Sequence, residues 1–197
     1  THSSTLLRFF DGHTDSVNSC AFSPDGQHIL TASADKTAKL WDAHSGALVH
    51  SFEGHIASVW SCAFSPDNQH ILTASADRTT KLWNAQSGVL VRSFDGHTAA
   101  VLSCTFSANN RHILTTSADR TAKLWDAHSG ALLRSFDGHT ASVLSGAFST
   151  DKQHILTTSV DHTTKLWDIQ SGMLLRSFKE ALNKSTSNQR RANPPIP

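Results

Sequence analysis

The sequence has little of what usually announces a partner. Lys and Arg total 17 against 16 Asp and Glu, a net charge of +1. So even a balance offers no field to draw nucleic acid or an anionic membrane, and neither is expected as a partner. No apolar run approaches the roughly 18 residues that span a bilayer. No signal-peptide pattern opens the chain, and no stretch has a helical apolar period. Cysteine is scarce too. Cys20, Cys62 and Cys104 are an odd set at one spacing, with Gly146 where a fourth would stand. That excludes a disulfide framework. It predicts small, buried, reduced thiols and a cytoplasmic location. The chain opens on Thr1 rather than Met, and removal of upstream residues or of a tag is the expectation that goes with it.

What is present is repetition. SADKTAKLWD begins at Ser33, SADRTTKLWN at Ser75, SADRTAKLWD at Ser117 and SVDHTTKLWD at Ser159, a constant step of 42 residues. Units run 12–53, 54–95, 96–137 and 138–179, and 21 of their 42 positions never change within the chain. Residues 1–11, THSSTLLRFFD, match a unit's end, AHSGALLRSFD at 127–137, and read as a partial repeat supplying an outer strand. Residues 180–197 are polar, weakly basic and Pro-rich; they cannot bury a core and are expected to be a disordered tail. The hydrophobic content of 38% is that of a globular protein.

Each unit reads as four short strands. In the first these are SVNSCAF (16–22), HILTAS (28–33), TAKLWD (37–42) and ALVHSF (47–52), separated by turn residues and rich in alternating β-branched and apolar side chains. A period near 42 with four strands per unit is a propeller signature. The fold class is therefore all-β, with four blades of four antiparallel strands.

Gly-His opens every unit, at 12–13, 54–55, 96–97 and 138–139. Trp-Asp closes the third strand at 41–42, 125–126 and 167–168, with Trp83-Asn84 as the one departure. On these motifs the chain resembles the WD40-repeat β-propeller family over residues 1–179. The resemblance implies a structural hydrogen-bond network in each unit. It would link His13, Ser33, Asp35 and Trp41; His55, Ser75, Asp77 and Trp83; His97, Ser117, Asp119 and Trp125; and His139, Ser159, Asp161 and Trp167. A buried Asp needs donors, a His supplies one, and Trp can only donate. Asp, His and Ser together suggest a catalytic triad, but four identical copies are what architecture needs. No catalytic residue, cofactor or metal is expected. His28, His70, His112 and His154 begin the second strands and would stand too far apart to share a metal.

Propellers of this family usually close with more blades than four. Four units alone would leave two apolar blade faces open to water. Two chains head to tail would cover both in an eight-bladed ring, so a homodimer is expected; the alternative is a piece of a longer chain. Such a dimer has surplus strands. Residues 6–10 of one chain would compete with residues 173–178 of the other for the edge beside 163–168, and one segment would be displaced.

Members of the family generally act as scaffolds. The resemblance places a docking face where the first strand begins, including the fifth residue after each Gly-His histidine: Asn18, Trp60, Leu102 and Leu144. Ile56, one residue after His55, and Val160, just before Asp161, complete the varied set. Trp60 is the Trp outside the repeat phase, and a rim aromatic suits an interaction anchor. The alternative is that Trp60, Leu102 and Leu144 plug the central channel. Three functions follow: a non-catalytic scaffold for a protein or peptide, an assembly unit of recently amplified repeats, and a propeller hydrolase. The last lacks acids, since Asp15 is matched by Ala57, Ala99 and Ala141 in the other units.

Overall fold

Every unit spends its β-branched and aromatic residues in runs of five or six, broken by Asp, Asn, Ser and Gly at the turns. Short runs of this kind pair with their neighbours as hairpins. The computed structural model describes residues 8–179, and they form four antiparallel sheets of four strands each. The first sheet holds β1 (Val17–Phe22), β2 (His28–Ser33), β3 (Ala38–Asp42) and β4 (Leu48–Phe52). The second holds β5 (Val59–Phe64), β6 (His70–Ser75), β7 (Thr79–Asn84) and β8 (Leu90–Asp95). The third holds β9 (Val101–Phe106), β10 (His112–Ser117), β11 (Thr121–Asp126) and β12 (Leu132–Asp137). The fourth holds β13 (Val143–Phe148), β14 (His154–Ser159), β15 (Thr163–Asp168) and β16 (Leu174–Lys179). Strand order follows chain order in each, as in the blades expected from the sequence.

The core lies between sheets. Leu30, Ala32, Ala38, Leu40 and Phe52 of the first pack against Val59, Cys62, Ile71 and Trp83 of the second. The second and third repeat this, with Leu72, Ala74, Leu82 and Phe94 on Val101, Cys104, Ile113 and Trp125. The third and fourth do so again. Each blade thus has a trailing face built on Leu, Ala and Phe, and a leading face carrying the Trp with Val, Ile and Cys.

Two faces have no neighbour, and there the repeat symmetry of burial breaks. Val17 is 53% exposed where Val59, Val101 and Val143 are fully buried. Phe178 is 50% exposed where Phe52, Phe94 and Phe136 are at most 2%. Cys62 and Cys104 are buried and free as expected, but Cys20 is exposed. It is chemically the same residue; only the missing neighbouring blade distinguishes it.

The expected outer strand at 6–10 also differs. Residues 8–10 form no strand, because the strand they would pair with belongs to a preceding blade. They nonetheless sit as a unit's tail sits on the next unit. Phe10 meets Trp41 edge-on at 5.9 Å, as Phe94 meets Trp125 at 5.7 Å. Arg8 donates to the Ser45 carbonyl, as Arg92 donates to that of His128. Residues 1–7 and the tail expected at 180–197 lie outside the described residues.

Candidate functional site

A buried chain of hydrogen bonds repeats in all four blades. In the second, His55 Nδ1 donates to Asp77 Oδ2 at 2.7 Å, and His55 Nε2 lies 2.8 Å from Thr73 Oγ1. Trp83 Nε1 donates to the same Thr73 Oγ1 at 2.9 Å. A carboxylate can only accept, so the His proton is on Nδ1 and Nε2 accepts from the Thr hydroxyl. The chain therefore runs Trp83 to Thr73 to His55 to Asp77, every donor and acceptor used once. The same order links Trp41, Thr31, His13 and Asp35. It also links Trp125, Thr115, His97 and Asp119, and Trp167, Thr157, His139 and Asp161.

Ser33, Ser75, Ser117 and Ser159 were expected inside this chain and stand beside it. Ser75 Oγ donates to the Ala57 carbonyl and accepts from the Asp77 backbone N–H; the other three serines repeat both bonds. The hub is the Thr two residues earlier. The register explains why. Trp83 pairs with Ile71, and the residue diagonal to it on the same face is Thr73, not Ser75. A fifth partner was also missed. Thr79 donates to Asp77 Oδ1 through both its hydroxyl and its backbone N–H.

At Gly12, Gly96 and Gly138 a side chain would press on the indole beneath, whereas at Gly54 the indole leaves ordinary contact distance. Gly96 has φ 156°, and a Cβ there would lie 3.0 Å from Trp125 Cη2. Asn84, the departure from Trp-Asp, costs nothing at its own site. Asp42 Oδ1 accepts from the Ser45 N–H and hydroxyl to close the outer hairpin. Asn84 Oδ1 does the same for Ser87.

The network also builds the face on which the predicted docking residues lie. Asp77 Oδ2 takes the Ile56 N–H at 3.1 Å, and the Ala76 N–H donates to the Ser58 carbonyl at 2.9 Å. The loop before β5 and the β6–β7 turn are thereby stitched together. Val160, in the β14–β15 turn, is held by the Ser142 carbonyl. Ile56 is 81% exposed and Val160 50%. Asn18, Trp60, Leu102 and Leu144 occupy a bulge that interrupts the first hairpin of every blade. A bulge residue leaves the ladder and turns its side chain out of the sheet. Trp60 and Leu144 are exposed and Leu102 is half-buried. Asn18 instead reaches the Val59 carbonyl at 2.9 Å and ties β1 to β5.

Among the described residues no three of His, Cys, Asp and Glu gather as a metal site. Asp15, the acid of the docking face, accepts the Ser16 N–H. A cavity of about 250 Å³ between the first and second sheets includes Asp25 and His28, but Asp25 is spent closing a turn with Ser23 and Gln27. Three of the third-strand lysines are committed as well: Lys39, Lys123 and Lys165 each donate to a serine of the outer strand. No helix of the described residues is long and apolar enough to cross a membrane.

The network sets an acid limit on the fold. Burial pushes the His55 and His97 imidazoles below their ordinary value of 6.5, against the pull of their Asp partners. Burial alone would raise Asp77 and Asp119, but the bonds from Thr79, His55, Thr121 and Thr98 outweigh it and hold both below 3.8. Asp35 and Asp161 are held low in the same way. In each case the unfolded chain takes up protons before the folded one, so stability falls as pH falls. Thermal unfolding followed by circular dichroism is expected to be flat from pH 7 until the ordinary thiol value of 9.0 is approached, above which burial of Cys62 and Cys104 makes stability fall again. It should decline first below the histidine value of 6.5 and then more steeply below 3.8. A melting temperature that rises between pH 7 and 5 would contradict this assignment.

Known proteins point the same way. The family model described as WD domain, G-beta repeat matches at residues 4–42, 46–84, 88–126 and 130–168. Each match ends at the residue after a network Trp, and those at 46, 88 and 130 begin at the glycine two residues before β4, β8 and β12. A stretch of 31 residues is 58% identical to Periodic tryptophan protein 2 of Saccharomyces cerevisiae. That stretch is 16% of this chain and 3% of that protein, so the chain spans a small fraction of its relative's length. WD40 repeats generally build non-catalytic scaffolds for protein interaction. With four matched repeats, each carrying the Gly-His and Trp signatures and the hydrogen-bonded chain between them, the protein belongs to the WD40-repeat family.

Proposed function

We propose that the protein is a non-catalytic interaction scaffold, a half-propeller that pairs head to tail with a second copy to close an eight-bladed ring. The observation that carries this reading is the match between its two open faces. The trailing face of the fourth blade offers Leu156 and Phe178, both exposed. Their equivalents Leu30 and Phe52 are buried by the next blade's Val59 and Cys62. The leading face of the first blade offers Val17 and Cys20 at those same positions, also exposed. A second copy therefore presents what the first lacks, at both ends at once.

The ring would carry the docking face twice. Ile56, Trp60, Leu102, Leu144 and Val160 give it an apolar, partly aromatic character suited to a peptide or protein segment, with Asn18 bracing the strand beneath. Nothing on that face supplies a nucleophile beside a base. Phe10 occupies the Trp41 edge that Phe178 of the second copy would claim, so only one of the two segments is seated at each closing junction.

Light scattering during size-exclusion chromatography tests the assembly. A mass twice the 21.4 kDa chain is expected, and Phe178→Asp should return it to a single chain. A single chain for the unaltered protein would overturn the ring. The docking face is tested in the same preparations: partners retained by the protein should be lost with Trp60→Ala, and retention unchanged would overturn that face.

A further inference from the structure

The three covered junctions follow a size rule. At the first, Ala32 and Cys62 share one buried cluster across the two sheets. At the second, Ala74 and Cys104 do the same. At the third both positions change together, to Thr116 and Gly146. A Cβ added at Gly146 would lie 3.0 Å from Thr116 Cγ2 and 2.7 Å from Leu114 Cδ2. The larger residue on the trailing face is thus answered by removal of a side chain on the leading face. The exchange is one of shape, since the buried Thr116 hydroxyl has no hydrogen-bond partner.

We propose that the pair Thr158 and Cys20 sets the strength of ring closure; this rests on the head-to-tail reading above. Thr158 holds the position of Ala32, Ala74 and Thr116 on the fourth blade, and Cys20 holds that of Cys62, Cys104 and Gly146 on the first. Joined in a second copy, they oppose threonine to cysteine, a combination that none of the three covered junctions contains. With the spacing of the third junction, the Cys20 Cβ falls where a Cβ on Gly146 would fall, against the threonine methyl, and its sulfur must fit besides. The closing junction is therefore the overfilled one. It makes the ring separate between chains more readily than within them, and it makes closure reversible. A leading face with glycine at this position would close on Thr158 more tightly than the chain closes on itself.

Sedimentation equilibrium of Thr158→Ala, Cys20→Gly, their combination and Thr158→Val tests the pair. Relief of overpacking is worth about tenfold per junction, and a two-fold ring contains the pair twice, so each single change to a smaller residue should tighten the dimer about a hundredfold. The combination, which leaves a void, should be weaker than either single variant. Thr158→Val keeps the shape and loses only the hydroxyl, so it should leave the dissociation constant as it is. Tightening by Thr158→Val equal to that by Thr158→Ala would overturn the proposal, because the hydroxyl would then be the cause. Additive effects of the two single changes would overturn it as well. A single chain for every variant would sink the ring reading and the pair with it, whereas a dimer indifferent to all four sinks the pair alone.

Discussion

Thr73→Val should cost about 2–4 kcal/mol of folding stability, more than Ser75→Ala in the same blade. Valine fills the space of threonine but takes away the hydroxyl at the centre of the chain. Thr73 is fully buried, Trp83 is 3% exposed and His55 is 6% exposed. Neither the indole N–H nor His55 Nε2 can therefore turn to water. Each buried group left without a partner costs about 1–3 kcal/mol. Loss of Ser75 Oγ frees the Ala57 carbonyl and the Asp77 N–H, which lie nearer the surface of the blade; roughly 1–2 kcal/mol is expected. Urea unfolding of the two variants gives the order directly, provided their m-values agree. If Ser75→Ala proves the more damaging, the hub has been assigned to the wrong residue.

The consequence for function lies in what the network holds. Its carboxylate ends at the proposed docking face, where Asp77 grips the Ile56 N–H and both polar groups of Thr79. The loop carrying Ile56 has no strand pairing of its own. Its position is fixed by Asp77, by the Ser75 hydroxyl on the Ala57 carbonyl and by the bond between Ala76 and Ser58. Stability and presentation are thus coupled: the carboxylate that holds the buried histidine also holds the loop bearing Ile56 in place. A scaffold needs such coupling, because a recognition surface that must first be ordered binds less tightly.

Much of this was legible in the sequence. The strands stand within a residue of where alternation and turns put them, since a run of β-branched residues ended by Asp or Gly has few other uses. His13, Asp35 and Trp41 and their repeats were readable because each occurs at every unit. The serine is what the family resemblance implies; the threonine is equally invariant across the units, and composition cannot separate them. Strand register can: once Ile29 is set opposite Trp41, Thr31 is the diagonal neighbour and Ser33 lies a further two residues along. The exposure of Cys20 was not legible from type or spacing, because burial there belongs to the neighbour and not to the residue. The same holds for the outer strand expected at 6–10, whose described part has the contacts of a unit's tail but no strand to join.

Gly146→Cys should destabilise the chain by about 1–3 kcal/mol, and Thr116→Ala in the same molecule should restore most of it. The added side chain enters a space where Leu114 Cδ2 would stand at 2.7 Å from its Cβ and Thr116 Cγ2 at 3.0 Å, an overpacking of the usual size. In the first two junctions the residue in the place of Thr116 is alanine, beside a buried cysteine. Thr116→Ala alone removes a methyl opposite a glycine and leaves a void, so it too should destabilise, by about 1 kcal/mol. Two changes that each weaken the fold and together spare it give a coupling well outside additivity. Urea unfolding under reducing conditions measures all four corners. Destabilisation that simply adds would mean that threonine and glycine occur together here without fitting one another. A rescue would make the third junction the internal standard for the closing one, since the same two positions meet there in Thr158 and Cys20 with only one of them adjusted.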